Sequence, residues 1–577
     1  MKNPAKKFTL LSASILAAAL SATGNAAPER AGDFALIDHT GGIHQLSRYR
    51  HKEALVVVSQ ASSCANAQNG YTQLQNLRKE WESKDVAFLM INAVGDDVAE
   101  IRAAAEAQGL EIPILIDASG MVTKTLGFSK AGEAVLLSPD SFNVLYRGPL
   151  DQNINATLSN SARDSAQETL VLQASGCDLN RPDATTLASA VPDYTTEIAP
   201  IIVENCAECH RAGGIGPFAM NSHLMLKGWS PMIRETLLTR RMPPMQVDPN
   251  VGHFNNANYL APEDMAKLVS WIDAGSPRGI ASEDPLGKVE HVDMRAWQLG
   301  EPDFIVKMPA NEIPATGVLE YINVDAQLPF TEDKYVRAVQ FIPGDSTVLH
   351  HLLTYVTAAN EDFDGGEADQ RAIERRFLEG YAPGKVAAMT FPEDTGVFIP
   401  KGNKLSMQFH YTTNGRATVD ETLLGLYFYD EKPAHENLTR AVSGRFVIPP
   451  HALDHKTHGE YVFDEAVNVI GLRAHMHFRG RDMRFSVEYP DGTMEELLNE
   501  VNYSYAWQPT YQLSQPKYLP AGTKVHVNGT FDNSEFNPGN PDPDARVTFG
   551  LQSWDEMFIG YWTYYAADEK ANEQASN

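Results

Sequence analysis

The 577-residue sequence predicts a multidomain protein with one α/β domain, one small all-α domain and then two all-β antiparallel sandwiches. Three patterns predict this. Short apolar runs alternate with helical stretches over 28–176. Helix-period stretches flank a cysteine pair over 190–282. Period-2 alternation bounded by turn residues fills 295–568. The length points to three or four domains, and 43% apolar residues are enough for several packed cores. With 47 basic and 74 acidic residues the net charge is −27. That excludes a nucleic-acid binder, because phosphate contacts need Lys and Arg in excess. Four cysteines are too few to staple a chain of this size.

Residues 1–26 read as a secretory signal peptide. Lys2, Lys6 and Lys7 form a basic start, residues 8–20 are apolar or small, and a small-residue stretch ends near Ala26. The apolar run falls short of the ~20 residues that span a bilayer. No cysteine follows it to carry a lipid, and no other stretch has the length and apolarity of a membrane helix. Cleavage after Ala26 removes three lysines and no acid, taking the charge to −30. The mature chain is expected to be periplasmic or secreted, without a transmembrane segment.

In the α/β domain, 28–176, Ala54-Leu55-Val56-Val57-Val58 reads as a central buried strand. Cys64 and a helical stretch follow. Val86-Ala87-Phe88-Leu89-Met90-Ile91 is a second strand, 98–108 a helix ended by Gly109, Ala134-Val135-Leu136-Leu137 a third strand and 143–147 a fourth. The order resembles the redoxin branch of the thioredoxin superfamily, with Cys64 at the family's redox position. Ser63-Cys64-Ala65-Asn66 departs from that pattern: it has no C-x-x-C and no adjacent Pro. The position of the family's cis-Pro falls near Ala131-Gly132. Two roles stay open for Cys64: a redox thiol, or a disulfide with Cys177.

In 190–282, Cys206-Ala207-Glu208-Cys209-His210 is C-x-x-C-H, the attachment spacing of c-type haem. A helical stretch, 194–205, leads into it and Gly213-Gly214-Ile215-Gly216-Pro217-Phe218 follows. Met242-Pro243-Pro244 resembles the axial-Met loop of small cytochromes c. Over 262–274, Met265, Leu268, Val269 and Ile272 form a helical apolar face. The resemblance implies a small all-α cytochrome c domain with one covalent haem on Cys206 and Cys209. His210 is then the proximal ligand and Met242 the second; Met220, Met225, Met232 and Met245 are rivals. A zinc knuckle using His223 or His253 is the poorer alternative.

From 295 onward the chain reads as two sandwiches, 295–445 and 446–568. Leu405, Met407, Phe409 and Tyr411 alternate with polar residues, as do Met483, Phe485, Val487 and Tyr489. His350 and His351 adjoin, and His410 precedes Tyr411. His475 and His477 lie two apart with Arg473, so a strand presents all three on one face. His435, His451, His455 and His458 read as loop residues. The Asn/Pro/Asp run 532–544 reads as a long ordered loop.

These motifs, with Asp555-Glu556-Met557, Ile399-Pro400-Lys401-Gly402 and Trp507-Gln508, resemble the copper type II ascorbate-dependent monooxygenases, the peptidylglycine hydroxylating and dopamine β-monooxygenase family. The resemblance implies two jelly-roll-like domains and two copper ions. His350, His351 and His410 would hold an electron-storing copper. His475, His477 and Met557 would hold the copper that meets O₂ and hydroxylates a substrate C–H. A thioether favours Cu(I), while imidazole suits both copper states. Arg473 and Tyr561 match positions that bind a substrate carboxylate in the peptide-hydroxylating branch, where the family's intervening Asn is Ile559 here. The implied partners are a small-molecule or peptide substrate, O₂ and an electron donor, either an ascorbate-like reductant or a redox protein. Expected overall is an exported copper-dependent monooxygenase whose fused haem relays electrons. The alternatives are a non-catalytic periplasmic electron-transfer or copper-handling protein, and a thiol redox enzyme using Cys64.

Overall fold

The computed structural model describes residues 29–62, 64, 67–92, 94–161, 169–179, 190–212, 214, 216–244, 247–257, 259–280, 282–291, 293, 295–363, 376–381 and 388–567. The signal-peptide region and Met245 lie outside them. Among the described residues no helix is long and apolar enough to cross a membrane.

The N-terminal domain is a thioredoxin-like α/β sheet of six strands. Their order across the sheet is Ile114–Ile116, Val86–Asn92, Ala54–Gln60, Glu133–Leu137, Val144–Pro149 and Leu170–Val171. Ala54–Gln60 runs parallel to Val86–Asn92 and antiparallel to Glu133–Leu137. All seven residues of Ala54–Gln60 are buried, which explains its unbroken apolar run. The edge strands Ile114–Ile116 and Leu170–Val171 are too short to show a period in the sequence. The helix Val98–Ala107 begins where the Asp97 carboxylate accepts from the N–H groups of Ala99 and Glu100.

Cys64 is bonded to Cys177, with Cα atoms 5.9 Å apart. It is only 4% exposed and packs against Ala131, whose N–H donates to the Cys177 carbonyl. Of the two roles open to Cys64, the structure therefore holds the disulfide and not the free redox thiol.

In the helical segment, Tyr194–Ile198 continues into Ala199–Asn205, and Pro262–Asp273 matches the expected helix. A further helix, His223–Leu238, escapes the sequence reading because Gly228 and Pro231 interrupt it. The Ser222 hydroxyl caps it, and Leu226, Ser230, Ile233 and Leu237 are its buried face. These helices do not close a core of their own. Ile198, Ile202, Leu226 and Trp271 belong to the same apolar cluster as Leu55, Val57, Leu115 and Val135 of the α/β sheet.

Two sandwiches follow, and period-2 alternation explains both: one face of each strand enters the core. In the first, the sheet Ile322–Gln327, Lys404–Tyr411, Leu349–Thr357, Arg376–Tyr381 packs on the sheet containing Thr395–Ile399, Lys334–Ile342, Leu423–Phe428 and Phe304–Lys307. In the second, the sheet Leu438–Ser443, Phe558–Ala566, Val467–Met476, Tyr511–Leu519 faces the sheet His455–Val462, Lys524–Phe531, Gly480–Glu488, Met494–Glu500. The expected boundary at 445 moves. Leu438–Ser443 pairs with Phe558–Ala566 in the second sandwich, while His435–Glu436 still pairs with Thr395–Ile399 in the first. Local sequence does not show which sheet a strand joins, because the partners lie more than 100 residues away. His435, His455 and His458 also lie on strands rather than loops.

The first and last domains touch. The Asn499 side-chain amide donates to the Gly41 carbonyl at 2.9 Å, Arg48 donates to the Asn502 side chain at 3.0 Å, and Val501 packs with Ala35, Ile37 and Ile43. Glu500 is fully buried at this junction, its Oε1 without a hydrogen-bond partner. Burial pushes its carboxyl from the ordinary 4.5 up to about 8. Its proton is therefore held by the fold but not by the unfolded chain between those values. The stability this gives is present below pH 4.5 and is lost as pH rises toward 8, on the order of 4 kcal/mol. Glu500→Gln keeps the neutral form, so urea unfolding at pH 5 and pH 8 should show a flatter loss for the variant. Equal losses would show that Glu500 does not titrate as described.

Candidate metal centre

The strand Val467–Met476 is central in its sheet, between Phe558–Ala566 and Tyr511–Leu519. Leu472, Ala474 and Met476 fill the core, so the opposite face carries Arg473, His475 and His477. Met557 directly precedes Phe558–Ala566, and its sulfur lies 3.3 Å from His475 Nε2. The His475 tautomer follows from its neighbour. The Gln508 amide nitrogen donates to the Tyr505 carbonyl, so Gln508 Oε1 must accept from His475 Nδ1–H at 2.7 Å. Nε2 then carries the lone pair beside the thioether. His477 Nδ1 lies 3.3 Å from the Asp555 carbonyl, and the ring also meets the Gln552 backbone. Burial pushes the His477 pKa down to about 3.

Glu556 locks this arrangement. One carboxylate oxygen accepts from the His477 N–H at 2.8 Å and the other from the Arg479 N–H at 2.7 Å. The buried Arg479 guanidinium donates to the Trp554 carbonyl and to Asn533, ordering the loop 532–544. The H-x-H turn and the Met557 loop are thus tied through one side chain. Glu556→Ala leaves two buried N–H donors without acceptors, at about 2–5 kcal/mol. Denaturant unfolding should show that loss, and a smaller one for Glu556→Gln, which keeps an acceptor. A loss below ~1 kcal/mol for alanine would mean that the N–H groups find other partners.

The second histidine set lies on the first sandwich. His351 is register partner to His410 on the neighbouring strand, and pairing is irregular between Leu349 and His351. Adjacent strand residues normally face opposite ways; the irregularity lets His350 and His351 lie together, ring centroids 4.1 Å apart. The His351 and His410 rings are 5.9 Å apart. The Gln408 amide donates to Asn323, so its Oε1 accepts from His410 Nε2–H at 2.9 Å. His410 Nδ1 and His351 Nε2 are both buried without a partner. Tyr321 stacks on His410 at 3.6 Å. Burial pushes His350 down to about 4 and holds His351 and His410 well below the ordinary histidine value. All these imidazoles are therefore neutral at neutral pH, with lone pairs available to a metal.

The two sets face each other: His351 and His410 both feel charge on His475. Tyr505 sits between them. Its ring centroid lies 5.2 Å from His350, 5.8 Å from His351 and 5.8 Å from His477. Tyr505 belongs to none of the motifs read from the sequence. Its nearness to Trp507-Gln508 is the only local signal.

Arg473 and Tyr561 meet as register partners. The Arg473 guanidinium lies 4.3 Å from the Tyr561 ring and 4.6 Å from the ring of Phe377 in the first sandwich. Arg473 is 6% exposed, and among the described residues no carboxylate lies within ion-pair distance of it.

In the C-x-x-C-H segment, Cys206 and Cys209 are free, half-buried thiols. His210 is buried, and its Nδ1–H donates to the Phe218 carbonyl at 3.0 Å, leaving Nε2 bare. Phe218 in turn stacks on Trp229 at 4.5 Å. Met242 follows the helix His223–Leu238 and is 38% exposed. Of its rivals, Met220 is buried and Met232 exposed.

Residues 24–148 match the AhpC/TSA family model. Residues 437–576 match the model of the copper type II ascorbate-dependent monooxygenase C-terminal domain. The chain carries a redoxin domain and a copper monooxygenase C-terminal domain. The second match begins at Asn437, beside the break between the two sandwiches, and contains His475, His477 and Met557. Solved structures similar to the redoxin domain include a hypothetical protein of Sinorhizobium meliloti 1021 (21% identity, 27% of this chain, 93% of that chain, TM-score 0.24). Others are a thioredoxin-family thiol:disulfide interchange protein of Chlorobium tepidum TLS (16%, 24%, 99%, 0.22) and a peroxidoxin of Mycobacterium tuberculosis (22%, 23%, 94%, 0.21).

Proposed function

We propose that the chain is an exported copper-dependent monooxygenase that hydroxylates a substrate C–H with O₂. The observation that carries this is the convergence of imidazoles and one thioether across the sandwich boundary: His475 Nε2 beside the Met557 sulfur, facing the bare His351 Nε2 and His410 Nδ1. His350, His351 and His410 would hold one copper, and His475, His477 and Met557 the other. Bound copper supplies one-electron chemistry and O₂ activation. The chain supplies the rest. Gln508 and Gln408 fix which ring nitrogen is offered, Glu556 sets the spacing of His477 and Met557, and the buried sandwich interface limits water.

Cys206 and Cys209 attach a c-type haem, with His210 as proximal ligand and Met242 as second ligand. The Phe218 carbonyl on His210 Nδ1 supports the proximal role, because it fixes the tautomer that would leave Nε2 to a metal. A haem held there would supply one-electron transfer between an external donor and the copper residues, and an ascorbate-like reductant is the simpler substitute. The Cys64–Cys177 disulfide supports an oxidising compartment.

The reading is tested by O₂ uptake of the copper-loaded, haem-containing chain with a reductant and a panel of C–H substrates. Substrate-dependent uptake with a hydroxylated product supports it. Copper binding without uptake across the panel would favour a copper-handling or electron-transfer protein.

Arg473 and Tyr561 would hold a substrate carboxylate, which fits the fork of the buried guanidinium. Arg473→Ala should raise KM for carboxylate-bearing substrates roughly 10- to 100-fold while sparing neutral analogues. Equal losses on both would remove the carboxylate from the reading.

A further inference from the structure

Away from the candidate centre, the outer face of the second sandwich carries another group of metal-type ligands. His458 and Glu460 lie two apart on His455–Val462, so they share a face. His526, on the neighbouring strand Lys524–Phe531, is the register partner of Glu460. The ligand-type atoms of His458, Glu460 and His526 all lie within 4.8 Å of one another.

The hydrogen bonds sort the four ring nitrogens into two kinds. His526 Nε2 is 3.3 Å from a Glu488 carboxylate oxygen, which can only accept, so Nε2 carries the proton. His458 Nδ1 is 2.9 Å from the Asn528 side-chain oxygen and is satisfied in the same way. The remaining nitrogens, His458 Nε2 and His526 Nδ1, both turn to Glu460 Oε2, at 3.5 Å and 4.0 Å. Two imidazole nitrogens and a carboxylate thus converge on one point. Ligands bound at 2.0–2.2 Å with tetrahedral angles sit roughly 3.4 Å apart, close to the spacing seen. The outer nitrogens already have the carboxylate and amide partners that orient metal-binding imidazoles.

We propose that His458, Glu460 and His526 form a third metal site, taking one divalent ion of the zinc type with solvent in its fourth position. Imidazole and carboxylate donors without sulfur suit Zn²⁺ and Cu²⁺ and not Cu(I). The site differs in this from the thioether-containing set at His475, His477 and Met557. It also ties the edge strand His455–Val462 to its neighbour.

The experiment is equilibrium dialysis of the chelator-washed full chain against buffered Zn²⁺, with bound zinc counted by atomic emission. Wild type is compared with H458A/H526A, H475A/H477A and E460Q. The double variant H458A/H526A should hold one zinc fewer than wild type, while H475A/H477A keeps that equivalent. E460Q, which retains both imidazoles and the strand register, should bind it at least about 10-fold more weakly. Zn²⁺ should raise the melting temperature of H475A/H477A, and the rise should shrink when H458A/H526A is added, the His350, His351 and His410 set remaining in both. Unchanged stoichiometry in H458A/H526A, or unchanged affinity in E460Q, overturns the site. Neither result bears on the oxygenase reading, which rests on other residues.

Discussion

Substrate-dependent O₂ consumption should fall by more than about 100-fold when His475 is replaced by alanine, and bound copper should drop from two equivalents to one. The expectation rests on position. His475 Nε2 is the nitrogen beside the Met557 sulfur, and its other nitrogen is committed to Gln508. Loss of an orienting partner alone typically costs 10- to 100-fold in metal affinity or activity, so loss of the ligand itself must cost more. Gln508→Leu provides the calibration. It keeps the ligand but frees the tautomer, and should lie within the 10- to 100-fold range. Met557→Ala should resemble His475→Ala in turnover and leave the His350, His351 and His410 copper in place. Full copper content and full turnover in His475→Ala would remove these residues from the chemistry.

Covalent haem should go from one per chain to none in Cys206→Ala/Cys209→Ala, read as the pyridine haemochrome of protein denatured and stripped of free haem. With a redox-protein donor, turnover should fall toward background. With a small reductant that reaches copper directly, it should remain. His210→Ala should keep the covalent haem but change its spectrum, because the thiols attach and the imidazole ligates. Met242→Ala separates the second-ligand candidates. A low-spin spectrum that survives it would move that role to another methionine such as Met220. The shared core makes a further check necessary. Cys206 packs against the cluster that the helices share with the redoxin sheet, so the melting temperature of the variant must be compared with wild type before a turnover loss is assigned to the relay.

Much of this arrangement was legible in the sequence because it is local. His475 lies on the strand Val467–Met476 and His477 one residue past its end, with the two rings 5.3 Å apart. The apolar runs at Ala54–Gln60 and Val86–Asn92 were equally self-contained. What stayed hidden depends on partners distant in sequence. That adjacent His350 and His351 lie together follows from an irregularity in pairing with Lys404–Tyr411. The roles of Gln508, Gln408 and Glu556 appear only when their acceptors and donors are in place. The strand Leu438–Ser443 carries no mark of its sheet, and His458 reads as an ordinary loop histidine until Lys524–Phe531 brings His526 alongside. The helix His223–Leu238 was hidden for the opposite reason: Pro231 and Gly228 are strong local signals that the surrounding packing overrides.

The contact between Gly41 and Asn499 spans 458 residues, and it fixes an order of assembly. A chain emerging N-terminus first can close its redoxin sheet early, but Ala35, Ile37 and Ile43 must wait for Val501 before that apolar surface is covered. Loop-closure entropy delays such pairings. The N-terminal domain therefore spends the period of synthesis with an apolar patch that the second sandwich covers. A chain cut short before the last sandwich would keep that patch open, and such exposed apolar surface is what quality-control proteases and chaperones engage. Completion of the C-terminal copper domain thus also certifies the beginning of the chain.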